Sequence, residues 1–268
     1  MEKSLVSVIT SLQNPSIKHV IKLRDNRFRR RERLVVVDGV AEIRRAFDAG
    51  LVLESLFLVE PPSRDEQTLA ARVPDRVVYV SESVLQKIAF GQNHRDAVGI
   101  FKQPERSLEA LKLKEFPLVV VLDGLEKPGN VGAVFRSADA VGADAVVLCE
   151  GECDLFNPSV IRGSLGTIFN VPSAQATRDE MIAWLKQNNI TPVTARVDAK
   201  TTLWEIDLRQ RIAIIIGSEA HGLGDQWRSE HIAAINVRIP MHGSADSLNA
   251  SVSAALLMFE AARQRVGR

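Results

Sequence analysis

The chain predicts an α/β protein built on a mostly parallel sheet, and three observations carry that expectation. Short apolar runs alternate with helical patterns. The runs are continuous rather than alternating, as in strands buried on both faces. Glycine- or serine-rich loops follow three of them, where loops at the carboxyl ends of parallel strands gather. At 268 residues and 46% apolar content there is ample material for a packed core, and for more than one unit.

The first unit, residues 1–103, reads in order as follows. NPSIKHVIKLRD predicts a helix capped by Asn14 with Pro15 in its first position, where a missing N–H costs nothing. LVVVDG (34–39) predicts a buried strand and VAEIRRAFDAG (40–50) a helix closed by Gly50. ESLFLVE and RVVYVS predict strands, SESVLQKIAF a helix capped by Ser81, and AVGIFKQP a last strand. Residues 104–117 turn polar, with Pro104 and Pro117 framing a short helical segment, and predict a linker.

The second unit, 118–268, restarts with strand LVVVLDG, a helix from Val131 and strand DAVVLCE. NPSVIRGSLGTIF (157–169) predicts a helix with Asn157 as cap and Pro158 in its first turn. Helix RDEMIAWLKQNN, strands ITPVTAR, RIAIIIGSE and AINVRIP, and a long helix from about Ser247 to Arg265 complete it.

A formal charge of +1 argues against a wholly basic, histone-like protein, yet charge is clustered. From Lys18 to Arg33 there are eight basic residues against Asp25 and Glu32. Arg27, Arg29, Arg30, Arg31 and Arg33 are therefore candidate contacts to the phosphates of a nucleic acid, with a solvated charged face as the plain alternative. Aromatic residues are scarce at 5%, so extensive stacking on bases is not expected of any nucleic-acid contact. No signal pattern or run of roughly 20 apolar residues is present, so no membrane is expected and the location is expected to be cytoplasmic. Cys149 and Cys153, without histidine partners, predict reduced thiols rather than a metal site.

The chemistry concentrates in three loops: DGLEKPGN, GSEAHGLG and PMHGSADSLN, each after an apolar strand. Asn130 stands where a helix cap belongs and reads equally as cap or functional amide. Arg136, among apolar residues about two turns into the helix, offers a fixed fork of donors for phosphate or a developing oxyanion. Glu219, at a strand end, is costly to bury unless donors meet it. Ser247 and Asn249 precede the last helix and exceed what one cap requires. His221 and His242 lack metal-ligand spacing, and no strand is followed by the G-x-G-x-x-G of a nicotinamide dehydrogenase.

LDGLEKPGNVGAVFRSADAVG (122–142), IIIGSEAHGLG (214–224) and VRIPMHGSADSLNASVSAALL (237–257) resemble, in order and spacing, the three motifs of the SpoU (TrmH-type) family. Its members are S-adenosylmethionine-dependent RNA 2′-O-ribose methyltransferases of the SPOUT superfamily. DLFNPSVIRGSLGTIFNVP (154–172) is also similar to that family. The resemblance implies a C-terminal SPOUT domain with a parallel sheet and a deep trefoil knot, working as a homodimer without a metal. It is preceded by a small α/β domain that resembles the ribosomal-protein-like substrate-binding domain of rRNA-modifying members. By the same resemblance the cofactor is S-adenosylmethionine, contacted around Gly217, Ile239, Met241 and Leu248, and the catalytic set is Asn130, Arg136, Glu219, Ser247 and Asn249. Lys127, Ala220, His221 and Asp246 depart from the family pattern and bear on substrate choice. The extra first domain tilts the substrate towards rRNA. A tRNA 2′-O-methyltransferase and a non-catalytic RNA-binding assembly factor are the alternatives, the latter opposed by the intact polar residues of all three motifs.

Overall fold

The computed structural model describes residues 7–90, 97–151, 153–219, 221–228 and 232–267. Its contacts divide the chain into two compact units: residues 1–105 with 156–170, and 106–155 with 171–268.

In the first unit, β1 (Val8–Ile9) leads to α1 (Pro15–Lys22). The Asn14 side chain accepts from Ser16 N at 2.9 Å, and Ile17, Val20 and Leu23 form the buried stripe. α2 (Asn26–Glu32) is polar apart from Phe28, which hid it from any apolar periodicity. It forms because Asp25 caps Phe28 N at 2.9 Å and Arg33 closes it in the left-handed conformation. Buried β2 (Leu34–Asp38), α3 (Val40–Asp48) and β3 (Leu53–Val59) follow. α4 (Arg64–Arg72), also unforeseen, starts on a Ser63–Glu66 capping box. β4 (Val77–Val80), α5 (Glu82–Ile88), capped by Ser81, and β5 (Ala97–Lys102) complete this part. The strand order is β1-β4-β3-β5-β2, with β5 antiparallel to both neighbours and the other pairs parallel.

No helix forms between Pro104 and Pro117; the segment is irregular, with a turn at 108–110. Leu108, Leu111 and Leu113 pack instead on the core of the second unit, and that burial overrides local helical preference. The second unit runs through β6 (Leu118–Asp123), α6 (Pro128–Val141) and β7 (Ala145–Cys149). α6 begins three residues earlier than expected because Pro128 occupies its first position and Lys127 the cap.

The chain then contributes α7 (Pro158–Gly163) to the first unit. There Arg162 donates to Asp38 at 3.3 Å and to the Phe90 carbonyl. This helix is shorter than predicted. Leu165 and Gly166 both have positive φ and break it, and a Cβ at Gly166 would lie 3.2 Å from the Glu42 backbone.

Back in the second unit come β8 (Ser173–Ala176), α8 (Arg178–Gln187), β9 (Thr191–Ala195), β10 (Thr201–Thr202), β11 (Ile212–Gly217), β12 (Ile235–Arg238) and α9 (Ala250–Arg265). Its seven strands are all parallel, in the order β10-β12-β9-β11-β6-β7-β8. α9 packs on α6 and β11, while Met181 and Leu185 of α8 join a core with Val119, Val121, Ala213 and Ile215. β6, β7 and nearly all of β11 are buried accordingly.

Where β6 ends, buried Asp123 accepts from Trp227 Nε1 at 2.9 Å and from Arg178 Nε at 3.2 Å. Asp123→Ala leaves an indole N–H and a guanidinium without their acceptor and is expected to cost about 3–5 kcal/mol, read as a lower urea midpoint. Cys149 and Cys153 are buried, and burial, aided by Asp123, pushes the Cys149 thiol up to about 12.

Candidate functional site

The carboxyl ends of β9, β11 and β12, with the 239–249 connection, line a cavity of about 660 Å³, within the range of small-molecule sites. Gly217 and Glu219 reach it from the end of β11, and Ile239 and Met241 from the end of β12. Ser247, Leu248 and Asn249 reach it from the segment entering α9. Gly217 is required by space. A Cβ there would lie 2.3 Å from Gly222 C and 2.6 Å from Leu223 N, both backbone atoms of the returning loop. Gly222 N donates to Ser218 O at 2.9 Å to close that loop.

Asn130 is not a cap. It is the third residue of α6, and its Nδ2 donates to Glu219 Oε1. Its Oδ1 accepts from Asn249 Nδ2 at 3.2 Å. Asn249 does cap α9, its Oδ1 accepting from Ser251 N at 2.9 Å, so this residue both caps and joins the polar chain. Three of the predicted polar residues thus meet in one connected group at the cavity edge.

Arg136 lies elsewhere. It is exposed on α6, is not among the cavity-lining residues and makes no hydrogen bond or ion pair among the described residues. Spacing of six from Asn130 turns it about 120° away around the helix.

Sequence reasoning missed Arg196, Val197 and Arg238, which also line the cavity with Lys127 and Asp246. The signal was present: each of the first three stands at the carboxyl end of a strand. The cavity therefore offers cations (Lys127, Arg196, Arg238), carboxylates (Glu219, Asp246) and apolar walls (Ile216, Ile239, Met241). Ala220 lies outside the described residues. Among those described, no group of three or more His, Cys, Asp or Glu side chains is placed to hold a metal, and no helix is long and apolar enough to cross a membrane.

In the first unit, Arg27, Arg30, Arg31 and Arg33 are exposed on or beside α2. Arg31 stacks over Phe28 at 4.7 Å. Arg29 needs correction as an RNA contact. It is 2% exposed and donates to the Leu23 and Arg24 carbonyls, each at 2.8 Å, holding α2 against the end of α1.

Residues 117–259 match the model of the SpoU rRNA Methylase family, more than half of the chain. The chain belongs to that family. Residues 14–99 match the MRM3-like substrate binding domain. A 23S rRNA (adenosine(1067)-2′-O)-methyltransferase from Streptomyces laurentii is 28% identical, over 98% of both chains. A crystal structure of an RNA 2′-O ribose methyltransferase is 41% identical with a TM-score of 0.84, covering 97% of this chain and all of that one. An AdoMet-bound rRNA methyltransferase from Sinorhizobium meliloti is 28% identical, with a TM-score of 0.88 over 97% of this chain and 99% of its own. The SpoU match spans the three loops that build the cavity and the 156–170 segment alike.

Proposed function

We propose that the chain transfers a methyl group from S-adenosylmethionine to a ribose 2′-hydroxyl of ribosomal RNA. The observation that carries this is the cavity at the strand ends with Asn130, Glu219 and Asn249 joined at its edge. Family membership and the AdoMet-bound rRNA methyltransferase neighbour support it. The donor set fits the cofactor: apolar walls suit a purine, the cations its carboxylate, and Glu219 and Asp246 its cationic groups.

Bound there, the cofactor supplies an electrophilic methyl carbon on a sulfonium sulfur. Glu219, Ser247 and Asn249 orient the ribose against it, and near-attack positioning of this kind is worth roughly 7 to 11 kcal/mol. Gly217, Ile239, Met241 and Leu248 shape the cofactor's bed. Arg136 is the electrostatic clamp on the target phosphate and the 2′-oxygen, since a guanidinium is a poor base but a good partner for developing negative charge.

Because Arg136 does not line the cavity of its own chain, we assign it to the partner subunit's cavity in a homodimer. An apolar stripe on α9 supports such a seam: Val252, Leu256 and Phe259 are 46%, 37% and 54% exposed at helical spacing, and α9 packs beside α6. The deep trefoil knot belongs to the same reading. It is supported by the 239–249 connection, which leaves β12 and lines one cavity with the loop after β11 before α9 packs on α6. The cytoplasm, where ribosomal RNA is modified in this reading, is the proposed location.

The first unit would bind RNA through Arg27, Arg30, Arg31 and Arg33. Arg30→Ala is expected to reduce the slope of log affinity against log salt by about one, with thermal stability unchanged. Arg29→Ala is expected to lower the melting temperature instead. Fluorescence anisotropy with an rRNA fragment at several salt concentrations, beside a thermal melt, separates the two.

The deciding experiment is transfer of labelled methyl to purified rRNA and, separately, tRNA, followed by alkaline hydrolysis. A resistant linkage in rRNA is expected. Label in tRNA alone keeps the chemistry and moves the substrate; no label on any RNA, with cofactor bound, favours the assembly-factor alternative.

A further inference from the structure

Asn249 Oδ1 accepts from two backbone amides at the start of α9, Ser251 N at 2.9 Å and Val252 N at 3.4 Å, and from Ser251 Oγ at 2.6 Å. Backbone N–H groups can meet only an acceptor, so the two amides at the helix end decide the orientation of this side chain, and the Ser251 hydroxyl then donates to the same oxygen. Its Nδ2 must then face Asn130, whose Oδ1 receives it at 3.2 Å. Asn130 in turn has only its Nδ2 left for Glu219 Oε1. One helix terminus thereby sets the sense of every bond out to the carboxylate on the cavity.

From this we infer that Ser251, which does not line the cavity and belongs to none of the roles assigned above, is a positioning residue for methyl transfer. Through Asn249 and Asn130 it holds Glu219 with one oxygen engaged, leaving the other to accept a hydrogen bond from the substrate hydroxyl. The two backbone amides already cap α9 and set the direction of Asn249, so the hydroxyl of Ser251 adds a third, short donor whose effect is on rigidity rather than on capping. The inference rests on the methyltransferase reading for its substrate, but the relay itself is a property of the free protein.

The test uses Ser251→Ala and Ser251→Thr, each in wild type and in Glu219→Gln. Ser251→Ala is expected to slow single-turnover transfer about tenfold, the loss of one oriented hydrogen bond. S-adenosylmethionine affinity and melting temperature should hold, and Ser251→Thr should restore the rate. In the Glu219→Gln background Ser251→Ala should add nothing, because the glutamine carbonyl keeps the bond from Asn130 and turns an NH2 donor, not an acceptor, towards the substrate hydroxyl. Equal losses in both backgrounds, or a loss that tracks a fall in melting temperature, would overturn the relay and leave Ser251 as a cap. A second readout needs no activity: by NMR, the Asn130 side-chain amide protons should exchange faster with solvent in Ser251→Ala than in wild type. Unchanged exchange also overturns the inference, whereas absence of methyl transfer by wild type with the exchange difference intact would count against the enzyme reading alone.

Discussion

Gly217→Ala is expected to weaken S-adenosylmethionine binding about a hundredfold, roughly 2.7 kcal/mol, and with it to abolish turnover at ordinary cofactor concentrations. The added methyl would sit 2.3 Å from Gly222 C and 2.4 Å from Gly222 O. Neither can rotate away as a side-chain end can, so the loop that Gly222 closes onto Ser218, with Gly222 in the left-handed conformation at φ +64°, must shift its backbone. That loop carries Glu219, so the displacement reaches both the cofactor bed and the polar group at its edge. Isothermal titration with S-adenosylmethionine checks it, alongside a thermal melt to show that the fold survives. Wild-type affinity would mean that the cofactor is bound without this loop.

Arg136→Ala is expected to reduce methyl transfer about a hundredfold to a thousandfold, the usual cost of losing a donor to developing negative charge, while cofactor affinity stays within a few fold. Parallel loss of both would refute the clamp. Subunit mixing separates its two possible settings. If Arg136 serves the partner subunit's cavity, exchange between Arg136→Ala and Glu219→Gln homodimers creates heterodimers with one fully intact site, and mixing restores about a quarter of wild-type activity. If Arg136 serves its own chain, every site in the mixture keeps one defect and activity stays at background.

The sequence made the strands and caps legible where one physical signal sufficed. LVVVLDG and IAIIIG are buried on both faces and read as continuous apolar runs; Asn14, Ser81 and Asn157 were recognisable because capping is a local interaction. α2 was not legible, since its seven residues, all polar but Phe28, are held by Asp25 and by Arg29 reaching back to α1, a tertiary device without periodicity. At the site, the identity of the polar residues was readable from motif resemblance, but their connections were not. Asn130 looked like a cap because a Pro-Gly-Asn turn and a Pro-initiated helix share the same letters, and only the position of Lys127 at the cap frees the amide for Glu219. Arg136 was expected with the others because sequence spacing says nothing about which face of α6 meets the cavity.

The excursion of residues 156–170 bears on how such a protein can be recombined. Val160, Ile161, Ile168 and Phe169 are buried, and their segment belongs to the unit made mainly by residues 1–105 although the flanking chain belongs to the other. Three crossings of the boundary, rather than one, mean that excision after residue 105 does not yield a self-sufficient remainder: it strips the cover from four apolar side chains and from Arg162. A leading domain exchanged between relatives must therefore bring, or find already matched, a patch encoded some fifty residues downstream in its new host. The two units of this chain are joined by three crossings of the backbone, so the leading one cannot be exchanged as a single continuous segment.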